Sequence, residues 1–274
     1  MLGSGHRCAR IDANIRSRGE RVTSPSISVQ LYTVREQAAE DLGTTLQRIA
    51  DLGYGLIEPY GFVGFGPALG EALRASGLRA PTTHQGFIGR GEAELDEVFS
   101  KAAALGIETV IDPHVPAEKW QTADDVRATA EALNAASSVA ARHGVRVGYH
   151  NHAHEIEAKI DGETAIEFFA ALLDDAVVLE IDTYWVVVGG EDPVALLGRL
   201  GDRVVAIHVK DGSGGTDVKE QVAVGSGRLP IAEIVAAAPN ALHVVELDDS
   251  HGDRFEAIAE SLAFLTALAE GDAE

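Results

Sequence analysis

The feature that most constrains the fold is a repeated unit: a helical stretch, then a glycine, then a short apolar run. The glycines lie one or two residues beyond a predicted helix end, at Gly53, Gly77, Gly106, Gly144 and Gly201. Glycine suits that position because a helix often ends in a left-handed backbone conformation that a side chain disfavours. Short connections and a repeat of roughly 30 residues favour parallel β-α-β units.

Eight such runs predict eight strands. Their ranges are 26–32, 55–58, 78–84, 107–111, 145–150, 177–182, 204–209 and 242–247. The predicted helices cover 44–52, 68–75, 92–105, 123–143, 163–173, 193–200, 230–238 and 255–268. This alternation predicts a single-domain (β/α)8 TIM barrel, of fold class α/β, over residues 25–274. A doubly wound open sheet is the alternative, weakened because no GxGxxG turn follows the first strand.

Composition excludes several classes of partner. The formal net charge of -21 argues against binding to nucleic acid or to an anionic membrane. No apolar run reaches the roughly 18 residues that a membrane span needs. The chain has one cysteine, Cys8, so no internal disulfide can form, and a reducing, cytoplasmic location is expected.

Residues 1–24 differ from the rest of the chain because they carry five arginines and only two acidic residues. They lack the apolar segment and small-residue cleavage site of a secretory signal. We expect a disordered N-terminal extension outside the barrel; a transit peptide is the alternative.

In a TIM barrel, active-site residues lie at the carboxyl ends of the strands. His150, Asp182, His208 and Glu246 fall at such ends and are predicted to converge on one divalent ion. Two imidazoles and two carboxylates suit Mn, Zn, Co or Fe better than Ca or Mg. The alternative is a charge-paired polar layer without a metal, since a lone histidine at a strand end is more often structural.

Several motifs carry a resemblance to a known family. They are YHNHAHE at 149–155, LEIDTYW at 179–185, HVKD at 208–211, VGSG at 224–227 and VVELD at 244–248. Together they resemble the sugar phosphate isomerase/epimerase family of xylose-isomerase-like barrels. The resemblance implies a divalent metal, with Mn as first choice, held by Asp182, His208 and Glu246. His150 stands where the ketose 3-epimerases of this group carry a glutamate ligand.

His150 affects the expected chemistry, because the resemblance implies that those epimerases use a pair of glutamates, with one acid/base on each face of the sugar. Glu155 or His152 is the candidate replacement for the missing carboxylate. The resemblance implies an enzyme of carbohydrate metabolism: a metal-dependent isomerase or epimerase of a sugar or keto-sugar. It would remove the proton next to a carbonyl and pass through a metal-stabilised enediolate.

Three alternatives remain. A keto-sugar or inosose dehydratase or hydratase would use the same first step and then expel or add water. A non-catalytic sugar-binding subunit would keep the barrel without turnover. A nuclease similar to endonuclease IV is disfavoured, because the extra zinc ligand would fall near Trp185 and the chain is strongly acidic.

Roles follow for the other candidates. Glu246 is expected to serve as both ligand and acid/base, and Lys210 to neutralise an oxyanion or bind a substrate carboxylate. The alternative for Lys210 is a salt bridge to Asp211 or Glu180. Glu58, His84 and Trp185 are expected to bind the sugar, with Trp185 stacking on it or only packing. The expected partner is a small-molecule sugar, and the oligomeric state, including a homo-oligomer, is left open.

Overall fold

A computed structural model describes residues 26–271 and confirms the predicted barrel. Its strands are β1 Ile27–Gln30, β2 Leu56–Glu58, β3 Thr82–His84, β4 Thr109–Asp112, β5 Arg146–His150, β6 Val178–Asp182, β7 Val204–Val209 and β8 Leu242–Val245. All neighbouring pairs are parallel, in the order β2-β1-β8-β7-β6-β5-β4-β3. Single bridges Leu56–Arg79 and Tyr60–His84 connect the two outer strands of this order, so the barrel is nearly closed.

Helices surround the strands. They are α1 Arg35–Glu40, α2 Leu42–Asp51, α3 Phe62–Phe65, α4 Pro67–Ser76, α5 Glu92–Ala104, α6 Ala123–Ala141, α7 His154–Glu157, α8 Ala165–Ala170, α9 Thr183–Val188, α10 Pro193–Leu200, α11 Ile231–Ala237 and α12 Arg254–Glu270. The five glycines of the repeat all have positive φ, between 57° at Gly201 and 105° at Gly53. These values confirm that the glycines permit left-handed turns between helix and strand.

The structure differs from the predicted boundaries at several element ends; the third strand, for example, begins at Thr82 rather than at 78. Residues 163–164 pair with 159–160 in a small antiparallel hairpin, so helix α8 begins at Ala165 rather than at 163. Thr164 ends the hairpin because its side chain accepts a hydrogen bond from the Glu167 amide and caps the helix. The first strand stops at Gln30, before a 3-10 turn over Leu31–Val34, and the eighth stops at Val245. The sequence reading also missed the short helices α1, α3, α7 and α9.

The core divides into two regions of different chemistry. Apolar side chains between strands and helices, such as Leu46, Phe99 and Phe169, are fully buried. At the carboxyl end of the barrel the buried side chains are instead polar, including Glu58, His208 and others described below. Buried charges are costly unless paired, so this polar region must be internally compensated.

The predicted extension over residues 1–24 lies outside the described part of the chain. Within residues 26–271, no helix is both long and apolar enough to cross a bilayer.

Candidate active site

A cavity of about 450 Å³ opens at the carboxyl ends of the strands. Tyr32 and Tyr60 form part of its wall, with their rings 5.2 Å apart and nearly perpendicular. Four of the predicted site residues lie together at this end of three consecutive barrel strands, and we call them the outer cluster: Asp182, His208, Lys210 and Glu246.

The outer cluster brings together three of the four predicted metal ligands. Asp182, His208 and Glu246 each offer a donor atom, and these atoms lie within 4.8 Å of one another. Nδ1 of His208 is 2.7 Å from Oε2 of Glu246. His150, the fourth predicted ligand, approaches this group less closely, with its Nε2 3.6 Å from Oδ2 of Asp182.

Lys210 is almost fully buried, with its ammonium among three carboxylates. Nζ lies 2.9 Å from Oδ2 of Asp182, 2.6 Å from Oε2 of Glu246 and 2.8 Å from Oδ2 of Asp248. Lys210 therefore forms ion pairs, but with other carboxylates than the expected Asp211 or Glu180, and its role toward a substrate stays a prediction. The alternation of side chains along a strand explains this, because Lys210 shares the inward face with His208 whereas Asp211 points elsewhere.

The charges of the outer cluster follow from this packing. Burial opposes ionisation of Glu246, but Lys210 and His208 hold its pKa well below the usual value. Burial also opposes a charge on His208, yet Glu180 and Glu246 raise its pKa well above the usual value. For Asp182, burial outweighs the attraction of Lys210 and raises the pKa to about 6. Glu246 thus stays ionised to a lower pH than Asp182.

A second polar layer, which we call the inner layer, lies beside the outer cluster within the barrel and consists of Glu58, His84 and Glu180. Oε1 of Glu58 accepts hydrogen bonds from Nε2 of Gln30 and faces Nε2 of His208, each at 2.8 Å. Oε2 of Glu180 is 2.5 Å from Nε2 of His84. From their positions at strand ends, Glu58 and His84 were both predicted to bind the sugar. Only His84 lines the cavity, because Glu58 is completely buried.

His152 lines the cavity from the loop after β5, across from Glu246. Burial lowers its pKa to about 4, so its imidazole is neutral at physiological pH. Its Nδ1 is buried and has no hydrogen-bond partner among the described residues. A neutral imidazole with an uncommitted nitrogen can accept or relay a proton.

Glu155 lies below the cavity wall in helix α7, where its oxygens are already committed. Tyr149 Oη donates to Oε1 at 2.6 Å, and the His152 amide donates to Oε2 at 2.8 Å. His154 also contacts Oε1, at 3.1 Å. Burial opposes ionisation, but the bonds from His154 and Tyr149 hold the pKa of Glu155 below its usual value. In this arrangement Glu155 orients the His152 loop.

Trp185 packs close to the site without lining the cavity. Its ring centroid is 6.2 Å from that of His152 and 5.9 Å from Nζ of Lys210. Its Nε1 is buried and has no partner among residues 26–271. The position agrees with a packing role and leaves sugar stacking a prediction.

Sequence reasoning did not assign roles to Asp248 and Gln221, although both shape the site. Gln221 donates from Nε2 to Oδ2 of Asp248 and accepts from the Asp248 amide through Oε1, at 2.8 and 2.7 Å. The loop after β7 thereby fixes the carboxylate that contacts Lys210. The only sequence signal was the spacing of Asp248 two residues beyond Glu246, which puts both on one face of an extended segment.

The donor set of the outer cluster fits a divalent ion. Oδ2 of Asp182 is buried, with Nζ of Lys210 at 2.9 Å and Nε2 of His150 at 3.6 Å. Carboxylate oxygens with an imidazole nitrogen are ligands that Mn, Fe, Co and Zn accept. Lys210 contacts the same oxygens, so an ion would share them with the ammonium.

Comparison with known proteins identifies the family of the barrel. Residues 46–268 match the sequence model of the xylose isomerase-like TIM barrel family. No curated protein sequence is significantly similar to this chain.

Three solved structures illustrate the similarity of fold. A sugar phosphate isomerase/epimerase from Parabacteroides distasonis is 23% identical, with a TM-score of 0.75, covering 94% of this chain and 98% of its own. The IolI protein, solved with a bound zinc atom, is 16% identical, with a TM-score of 0.69 and coverages of 91% and 99%. The probable 3-DHS dehydratase AsbF from Bacillus anthracis is 12% identical, with a TM-score of 0.68 and coverages of 88% and 98%.

Proposed function

The chain belongs to the xylose isomerase-like TIM barrel family, and from that premise we propose that it is a divalent-metal-dependent isomerase or epimerase of a sugar or keto-sugar. The observation that carries the proposal is the convergence of Asp182, His208 and Glu246, with donor atoms within 4.8 Å, beside a cavity of sugar-compatible size. Metal-bound and sugar-processing proteins with the same fold support it.

His150, Asp182, His208 and Glu246 would hold the ion, with Mn as first choice and Zn, Co or Fe as alternatives. When bound, a divalent ion supplies electrophilic stabilisation of negative charge on substrate oxygens. The remaining chemistry belongs to the protein. Tyr32 and Tyr60 offer aromatic faces to the apolar side of a sugar ring.

Glu246 is the proposed base. It lines the cavity, and its low pKa keeps it ionised, so it can remove the proton next to a substrate carbonyl. Lys210, 2.6 Å from Oε2 of Glu246, places positive charge beside the enediolate that forms.

His152 is the proposed acid/base on the other side of the cavity. It is neutral, and its Nδ1 is uncommitted. Relay of a solvent proton through the two ring nitrogens of His152 to the same carbon would invert the centre, and Glu246 would then release the abstracted proton to solvent. Return of the abstracted proton by Glu246 to the adjacent carbon would instead give an isomer. Glu155 supports this step by holding the His152 amide.

A dehydratase is the second candidate, favoured by His150 at the end of β5. Both carboxylates that line the cavity, Glu246 and Asp248, come from one strand end. The opposite side offers imidazoles, which suit protonation of a departing hydroxyl as well as reprotonation of carbon. A dehydratase of the same fold, AsbF, agrees with this option.

The test is solvent isotope exchange. The protein is loaded with Mn and incubated in deuterium oxide with a panel of ketoses and keto-inositols, which are then analysed by NMR and mass spectrometry. The proposal expects deuterium at the carbon next to the carbonyl and no change in composition otherwise. Loss of one water from the product would identify the dehydratase instead.

A matched pair of variants separates the site from general effects. Glu246→Gln should slow exchange by roughly 100-fold or more, the contribution typical of a positioned acid/base. Glu97→Gln, which alters an exposed ion pair with Lys101 on helix α5, should leave the rate unchanged. Sugar binding without any exchange would refute the catalytic proposal and favour a sugar-binding subunit.

A further inference from the structure

Glu180 and His84 of the inner layer, together with His150 and His208, form a second set of ligand-type groups, of which the proposed reaction uses only the two histidines at 150 and 208. Oε2 of Glu180 faces three imidazole nitrogens: Nε2 of His84 at 2.5 Å, Nδ1 of His150 at 3.0 Å and Nε2 of His208 at 3.2 Å. All four side chains are more than nine-tenths buried. Their donor atoms lie within 4.8 Å of one another. Side chains from four different strands thus converge on one point.

We propose that His84, His150, Glu180 and His208 form a second divalent-metal site, separate from Asp182 and Glu246 and reaching deeper into the barrel. Three imidazoles and one carboxylate are a donor set that suits zinc or another first-row transition metal rather than Mg or Ca. This site goes beyond the proposed function, which requires only the outer cluster and His150.

The spacing of the donors supports the assignment. Nitrogen and oxygen ligands bind zinc at about 2.0–2.1 Å, which places the ligands of a four-coordinate ion roughly 3.3 Å apart. The contacts to Glu180 run from 2.5 to 3.2 Å. To surround an ion, His84 must therefore move away from Glu180 by roughly 0.8 Å, whereas His150 and His208 already lie within about 0.3 Å of the required separation.

The charge balance of the buried carboxylates also supports the second metal site. Glu58 and Glu180 are both completely buried, and within residues 26–271 their ionic partners are histidines alone. Oε2 of Glu58 and Oε1 of Glu180 have no hydrogen-bond partner in that part of the chain. A doubly charged cation between the imidazoles would balance both carboxylates. Without it, protons on the imidazoles or on Glu58 would have to remove the uncompensated charge.

The two sites share residues through opposite ring nitrogens. His208 presents Nε2 to Glu180 and Nδ1 to Glu246, and His150 presents Nδ1 to Glu180 and Nε2 to Asp182. Because two ions can bind one imidazole only after it loses both ring protons, the sites either compete or are bridged. His84 belongs to the second site alone, and Asp182 to the outer cluster alone.

This separation provides a matched pair of variants, His84→Gln and Asp182→Asn. Each full-length protein is stripped with chelator and titrated with cobalt(II). Visible absorption reports four-coordinate cobalt, and mass spectrometry of the metal gives the stoichiometry. We expect Asp182→Asn to bind one equivalent of cobalt with imidazole-type absorption. The double variant, which carries both Asp182→Asn and His84→Gln, should bind cobalt more than about 100-fold less tightly. Removal of a residue that only orients a ligand costs up to about 100-fold, and loss of a direct ligand should cost more.

The outcomes distinguish this proposal from the proposed function. Cobalt lost in Asp182→Asn but kept in His84→Gln would overturn the second site and leave the outer ion intact. Cobalt bound by neither variant nor the unmodified protein would overturn both. Cobalt kept in Asp182→Asn and absent from His84→Gln would support the second site and remove the metal from the proposed reaction. Unchanged melting temperatures establish folding, and Glu180→Gln asks the same question if His84→Gln does not fold.

Discussion

Asp211 ties the loop after β7 to the barrel, and its replacement gives a sharp test of how the site is supported. Its buried carboxylate accepts hydrogen bonds from four backbone amides. Oδ1 accepts from Gly212 at 2.8 Å and from Leu229 at 3.1 Å. Oδ2 accepts from Gly225 at 3.0 Å and from Gly227 at 2.9 Å. Asp211 of the HVKD motif thus holds the backbone of the VGSG motif in place through hydrogen bonds.

We predict that Asp211→Asn destabilises the protein by about 3–6 kcal/mol. An amide keeps one acceptor oxygen but turns the other into a donor, which faces two backbone donors. Two hydrogen bonds to a charged group are lost, each contributing about 1.5–3 kcal/mol. In a chain of this size, 1 kcal/mol corresponds to about 2–4 °C, so the melting temperature should fall by roughly 6–24 °C.

The measurement is urea unfolding followed by circular dichroism, with thermal unfolding in parallel. Asp217→Asn is the control, since Asp217 lies in the same loop but caps only the Lys219 amide in an exposed position. It should cost about 1 kcal/mol or less. If Asp211→Asn were no more destabilised than Asp217→Asn, the four-amide anchor would not stabilise the loop, and the reasoning would be refuted.

Three further changes test other parts of the barrel. Burial lowers the pKa of His243, whose Nε2 donates to the Ala238 carbonyl, so its unfolded form binds a proton more readily. Stability should therefore fall below about pH 6.5, by at most about 1.4 kcal/mol per pH unit for this group, and less steeply in His243→Gln, as measured by urea unfolding at several pH values. Gly189→Ala would place its Cβ 2.5 Å from Cβ of Ile156 and should cost about 1–3 kcal/mol of unfolding free energy. Gly198→Ala lies inside helix α10 with open space around its Cβ, so it should stabilise by about 0.5–1 kcal/mol; a loss in that assay would contradict the helix assignment.

The strands and the convergence of their ends were predictable because local patterns encode them. The glycines after the helices specify the turns, and apolar runs of strand length follow them. Once the barrel is inferred, the ends of β6, β7 and β8 must be neighbours, which places Asp182, His208 and Glu246 together. That argument needs only the order of elements, and the structure bears it out.

The local sequence did not predict how deeply the polar side chains are buried or which side chains they contact. Glu58 stands at a strand end like His84, yet it is sealed below the imidazoles because its partners come from β1 and β7. Glu155 follows the histidine-rich strand, but helix α7 turns it toward Tyr149. Neither outcome depends on local sequence; both depend on which distant side chains occupy the remaining space.

Lys210 shows why such pairing determines chemistry. From the sequence, the adjacent Asp211 was an obvious partner, but that carboxylate binds backbone amides, which leaves the ammonium to Asp182, Glu246 and Asp248. The ammonium keeps Glu246 ionised and occupies the oxygens that a metal would bind. The proposed activity at the outer cluster would therefore depend on how the ammonium and an ion divide these oxygens, and no single strand carries that information.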